Sequence, residues 1–164
     1  MTDECSPTSA QVVRGEVVPE VSSRLLAVFD GAVARELTDL ASRAGWDAAV
    51  VDDVAGLASA DAETYVVLCD HHRDEVADAL QAALASPARW IGLMGTPRRA
   101  GHHWAALRER GLPDAEISRV HRPIGIDVGS KTPVEIAVST LAGLLADRNG
   151  RPGTPYPQPE PPPA

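Results

Sequence analysis

Cysteine is scarce in this chain: two among 164 residues, Cys5 and Cys69, with no C-x-x-C pair. That argues against a disulfide framework and against a cysteine-based zinc site, and nothing demands an oxidising compartment. Positive charge is also short, with 15 Lys and Arg against 23 Asp and Glu, a formal charge of -8 and a pI near 5.0. Nucleic acid and anionic membranes need a concentrated positive field, so neither is an expected partner, although local N–H groups can still receive a small anion. No apolar run approaches the roughly 18 to 20 residues of a membrane helix. The start, MTDECSPTS, has neither the basic nor the apolar region of a signal peptide, which makes the cytoplasm the expected location. His71-His72 and His102-His103 are adjacent pairs without the i, i+4 spacing of a helical metal clamp, which speaks against metal held by side chains. No G-x-S-x-G elbow occurs either, and no activated nucleophile can be named, so the residues support binding better than catalysis.

What is present is 44% apolar residues, enough for one core, with residues 1–22 expected as a flexible segment that includes a short edge-strand candidate at Gln11 to Val18. From Arg24 the pattern is regular. Continuous apolar runs at LLAVF, AAVV (Ala48 to Val51), YVVLC (Tyr65 to Cys69) and RWIGLMG (Arg89 to Gly95) read as strands covered on both faces. Between them lie helical stripes: Val33, Leu37, Leu40, Ala41 and Ala44 before Gly45; Val76, Leu80, Ala83 and Leu84 before Ser86-Pro87; Ala100, Trp104 and Leu107 before Gly111. A short helix from Asp114 to about His121 leads to a fifth strand at Ile124 to Val128. A last helix, Pro133 to about Arg148, carries Ile136, Ala137, Thr140, Leu141, Leu144 and Leu145 on one face. Thr132, Pro133 and Glu135 form a T-x-x-E capping box with Pro at the first helical position. The proline-rich residues 151–164 read as a disordered tail. Alternating strands and helices specify an α/β domain over residues 23–150 with a mainly parallel sheet and helices on both faces.

Ligands of such sheets bind at the carboxyl ends of the strands. Asp127, Gly129 and Lys131, just before the final helix, form the strongest candidate, because its first N–H groups and dipole can receive an anion; Lys131 also fits an ordinary solvated charge. Gly95-Thr96 opens a helix in the same way, and serves equally as a plain strand-to-helix turn. His71 or His72 directly follows a strand, where an imidazole can donate to an anion, while a surface histidine is the common outcome for one of the two. Gly31 follows the first strand and Asp52 lies 21 positions later, the spacing at which an acidic residue accepts from ribose hydroxyls; only one glycine of the G-x-G-x-x-G fingerprint is present. Cys69 fits a small core hydrophobe better than a thiolate.

YVVLCDHH, LQAALASPARWIGLMGTPRRA and RPIGIDVGSKTPVEIAVSTLAGLLADRNG, in this order, resemble the C-terminal Rossmann-like domain of the XdhC family, accessory proteins of molybdenum hydroxylases such as xanthine dehydrogenase. The resemblance covers roughly residues 24–150 and implies a Rossmann-like carrier that binds the molybdenum cofactor, a pterin dithiolene bearing a phosphate, and assists its insertion into a client enzyme. The positions it carries over are His71, Gly92, Gly95, Thr96, Asp127, Gly129, Lys131, Thr132, Pro133 and Glu135. The family's F-G-A-G-x-V-A loop is here Phe29-Asp30-Gly31-Ala32-Val33-Ala34, one residue shorter, with a carboxylate at Asp30 that repels phosphate. No counterpart of the family's separate N-terminal domain is expected in the chain. The alternatives are an NAD(P)-binding oxidoreductase-like domain, suggested by Gly31 and Asp52, and a ligand-free subunit that pairs with a separate XdhC N-terminal domain. The resemblance also allows a homodimer.

Overall fold

The computed structural model describes residues 12–13, 16–17, 23–95, 100–129 and 131–154, the side chains at 12–13, 16–17 and 100–102 excepted. Five strands form one all-parallel sheet: β1 (Arg24–Val28), β2 (Asp47–Val51), β3 (Thr64–Leu68), β4 (Trp90–Leu93) and β5 (Val120–His121). Their order is β2-β1-β3-β4-β5, a doubly wound arrangement whose connections reverse direction between β1 and β3. All five residues of β3 are buried, as a central strand covered on both faces requires.

Helices cover both faces. On one, α1 (Ala32–Arg43) and α5 (Pro133–Arg148) set Leu37, Ala41, Ala137, Leu141 and Leu144 against Leu25, Tyr65 and Val67. On the other, a 3-10 helix (Val54–Ser59), α2 (Val76–Ala85), α3 (Ala100–Glu109) and the single turn α4 (Asp114–Ile117) cover Leu26, Val28, Val66, Leu68, Ile91 and Leu93. The expected stripes occupy these interfaces. Helix α1 ends in a Schellman motif, with Gly45 N–H donating to Ser42 and Trp46 N–H to Ala41; Gly45 has φ +83, which only glycine adopts at little cost.

Three expectations need correction. The fifth strand is Val120–His121, inside the segment expected as helix, and residues 124–128 are not in the sheet. The backbone groups that a strand would offer to β4 go to α5 instead: Ile126 N–H donates to Ser139 O at 3.3 Å, and the Ser139 hydroxyl donates to Ile126 O. The strand expected at Gln11 to Val18 is an isolated antiparallel pair, Val12–Val13 with Glu16–Val17, that adds nothing to the main sheet. The Thr132 half of the box at α5 differs from expectation: Thr132 Oγ1 donates to Glu135 Oε2 at 2.5 Å and the Thr132 side chain caps no helix amide. The two side chains satisfy each other, and Pro133 at the first position has no N–H to cap. Of the expected disordered tail, residues 151–154 are described and carry no regular structure.

Two aromatic residues order the face beneath α1 and α5. Trp90 lies over Gly92, where an added Cβ would clash with the indole and meet Ile124 Cγ2 at 2.9 Å, and its outer face stacks on His121 at 4.8 Å. Tyr65 packs edge-on to Trp46 at 5.0 Å and donates its hydroxyl to Asp147 Oδ2 of α5 at 3.1 Å.

Gly92→Ala should therefore cost about 1–3 kcal/mol by overpacking, read as a lower urea midpoint at constant slope. Burial, and next the bond to Asp147, push the Tyr65 phenol up to about 12, against about 10 in an unfolded chain. A raised folded value means that Tyr65's contribution is complete below about pH 10 and is lost as pH rises toward 12. Urea unfolding between pH 9 and 11 should show this alkaline loss in the wild type and a smaller one in Tyr65→Phe.

Candidate functional site

The loops that follow β1 and β2 are tied together by their own residues. Asp52, at the end of β2, accepts the Asp30 N–H at 3.2 Å, and Arg73 from the β3–α2 connection stands 4.0 Å from the same carboxylate. The Arg73 guanidinium lies 5.2 Å over the Phe29 ring. Phe29 itself is left-handed at φ 72, a strain of roughly 1–2 kcal/mol for a residue with a Cβ. Asp30 turns outward to a bidentate pair with Arg35 at 2.7 and 2.6 Å, whose bonds hold its carboxyl below the ordinary range. Gly31 caps α1 in an extended conformation at φ -175, with open space around it. Neither feature is specific to glycine. Asp53 caps the 3-10 helix through Gly56 N–H.

The open volume lies further along the sheet edge. A cavity of about 490 Å³ is walled by Cys69 and His71 after β3, Met94 and Gly95 after β4, residues 123–129 and Lys131, and Ile136, Ser139 and Thr140 of α5, with Val33 of α1 at its side. Its size is typical of small-molecule sites. Met94, Ile124, Ile126 and Ile136 make most of the wall apolar; Cys69, His71, Asp127 and Lys131 supply the ionisable groups, and Lys131 is the chain's only lysine.

Residues 123–129 hold their shape through local bonds. Asp127 Oδ1 accepts the Gly129 N–H at 3.1 Å, closing a turn in which Gly129 has φ +68. The Ile126–Ser139 pair fastens the same segment to α5. Four exposed large apolar side chains, Ile126, Val128, Val134 and Val138, lie on this segment and on the first half of α5. Behind the cavity, Gly95 has φ +148, and a Cβ there would collide with Arg122 Nη2 and come 3.3 Å from His71 Cγ. Burial pushes the Arg122 guanidinium down from its ordinary value, yet a group this basic stays charged at neutral pH.

Five residues expected at a ligand site, His71, Gly95, Asp127, Gly129 and Lys131, line this one cavity. Gly31 and Asp52 stand outside it, in the tied loops. Thr132 occupies the N-cap position of α5 just beyond Lys131 without lining the cavity, and Thr96 lies outside the described residues. The sequence reading missed Val33, Met94, Ile126 and Ser139, and the cation of Arg122. Met94 and Ile126 were read only as strand residues; a signal for Arg122 existed in its place beside Pro123, directly after the last strand.

Comparison with known proteins matches residues 25–144 to the family described as XdhC Rossmann domain. Two relatives come from Escherichia coli K12. Uncharacterized protein YqeB is 34% identical over 91 residues, covering 56% of this chain and 16% of that protein. The molybdenum cofactor insertion chaperone PaoD is 28% identical over 127 residues, covering 76% of this chain and 40% of that protein. The chain thus spans less than half the length of either. A solved structure described as a xanthine dehydrogenase from Bacillus halodurans has the same fold, with a TM-score of 0.64 at 22% identity over 79% of this chain and 45% of that one.

Within the cavity wall, burial first and then the Asp70 carboxylate push the Cys69 thiol up to about 12, and its S–H contacts Val67 O at 3.6 Å. At pH 8 it is a neutral thiol, and the thiolate is the reactive form. In a Cys5→Ser background, native protein should resist iodoacetamide for hours and label stoichiometrically once unfolded in urea; rapid native labelling would refute this.

Proposed function

This chain belongs to the XdhC Rossmann-domain family, and we propose that it carries the molybdenum cofactor and assists its insertion into a xanthine dehydrogenase-type molybdenum hydroxylase, binding its cargo without transforming it. The observation that carries the proposal is the mostly apolar cavity of about 490 Å³ with Asp127 and Lys131 at its rim, in a chain 28% identical to a protein described as a molybdenum cofactor insertion chaperone.

The lining suits that cargo. A pterin is flat and apolar on its faces, and Met94, Ile124, Ile126 and Ile136 offer matching surface. Its edges carry amide-like donors and acceptors, for which Asp127 supplies a carboxylate. Its phosphate is dianionic, and Lys131 supplies an ammonium on a stem long enough to follow it. Delivery requires the mouth to meet a client protein, and the exposed Ile126, Val128, Val134 and Val138 put apolar surface around it. The NAD(P) reading draws no support from Asp52, whose carboxylate holds the Asp30 amide.

Titration of the purified protein with molybdenum cofactor under anaerobic conditions should give saturable heat at tens of micromolar or tighter, at least roughly 6 kcal/mol of binding. Lys131→Ala should weaken it about tenfold, the usual cost of one charge-assisted hydrogen bond, and Asp52→Asn should leave it unchanged. Because Lys131 is the only lysine, bound cofactor should also protect that one site from amine acylation. Absence of saturable heat, or full affinity in Lys131→Ala, would overturn the proposal.

A further inference from the structure

A groove of about 240 Å³ runs from the end of α5 to residues 123–126, where it borders the proposed ligand cavity. It is smaller than the roughly 300 Å³ at which small-molecule sites begin. We propose that it is the seat of a proline-rich peptide, and that the peptide is this chain's own residues 155–164. One end of the groove is lined by Arg151, Pro152 and Gly153, which lead directly into that segment.

The chain is already turned into the groove. Helix α5 ends in a Schellman motif, in which Gly150 takes φ +63 and Arg151 N–H donates to Ala146 O at 2.7 Å. Two residues on, Gly153 is half-buried, and a Cβ there would meet Ala146 Cβ at 3.4 Å. The backbone therefore doubles back along the helix it has just left. From Ala146 to Ser139, whose hydroxyl holds Ile126 O, α5 rises about 10 Å. Four residues of polyproline helix span about 12 Å, so Pro155 to Gln158 suffice to carry the strap to Ile126.

The chemistry of the two surfaces agrees. Six of residues 155–164 are proline; such a segment has little conformational entropy left to lose, and it is recognised by aromatic-lined grooves. Trp90 and His121 supply that lining, stacked 4.8 Å apart and 8° from parallel. Proline has no N–H, so it can lie on this surface without burying an unsatisfied donor. The tether holds the segment at a millimolar effective concentration, which favours this chain's own residues over a separate peptide. At the far end the strap covers Ile126, 39% exposed and part of the apolar patch at the cavity mouth. A client would then have to displace it, and only that consequence rests on the carrier reading.

Nitrogen-15 relaxation of the full chain tests the strap without any cofactor. The Tyr156 and Gln158 amides should have order parameters of about 0.85, against less than about 0.6 for an undocked tail, and nuclear Overhauser contacts should join the Trp90 and His121 rings to prolines 155, 157 and 159. Pro155→Ser combined with Pro157→Ser should lower both order parameters below about 0.6 and shift the Trp90 indole signal, leaving that of Trp104, on the opposite face of the sheet, in place. The strap is refuted if the wild-type amides already lie below about 0.6, or if the ring contacts arise only between differently labelled chains, which would give the groove to a second copy. It is also refuted if an added proline-rich peptide shifts Trp90 while Tyr156 and Gln158 stay undocked, which would give it to a separate partner. An ordered strap in a protein that gives no heat with molybdenum cofactor would keep the strap and reject the carrier; cofactor heat with an undocked tail would keep the carrier and reject the strap.

Discussion

The fastening of residues 123–129 onto α5 is the constraint on which the rest of this structure depends. Ile126 exchanges backbone and side-chain bonds with Ser139, and a Cβ on Gly125 would meet the Ser139 hydroxyl oxygen at 2.7 Å. The chain beyond β5 is thereby pressed against a helix instead of extending the sheet. That contact turns a loop into a wall. It leaves space between α5 and the ends of β3 and β4, and it brings Asp127 and Lys131 to the rim of that space. The ends of β3 and β4 supply the opposite wall through Cys69, Met94 and Gly95.

Charge is distributed to match. The carboxyl ends of β1 and β2 are tied together through Asp52, the Asp30 amide and Arg73, while the Asp30 carboxylate pairs outward with Arg35. The cations and imidazoles that face open volume lie one strand further along, around His71 and Gly95. Arg122 stands behind them, under a glycine that leaves room for its guanidinium.

Much of the architecture was legible in the sequence because its signals were local. The continuous run at Tyr65 to Leu68 could only be a strand buried on both faces, and Gly45 and Pro133 mark helix ends by backbone requirements that no neighbour alters. Ile124 to Val128 misled because its apolar content matches a strand, while its hydrogen-bond partner lies 13 residues away on a helix face. His71, Gly95, Asp127, Gly129 and Lys131 were legible from the rule that strand ends carry ligands. Gly31 and Asp52 satisfied the same rule and a known spacing, yet the bond between Asp52 and the Asp30 amide depends on how two loops meet. Met94, Ile126 and Ser139 became cavity residues only through the folding back of residues 123–129, which no periodicity in the chain encodes.

The proposed ligand site lies between residues 123–129, Lys131, α5 and the ends of β3 and β4, and not at the tied ends of β1 and β2. A crystal structure of the protein grown with molybdenum cofactor tests that placement most directly. The account predicts density for the pterin in contact with Met94, Ile126 and Ile136, with its phosphate within hydrogen-bonding reach of Lys131 or of the His71 side of the cavity. Density seated instead against Gly31 and Asp52, with the Asp30–Asp52 bond opened to receive it, would contradict the claim.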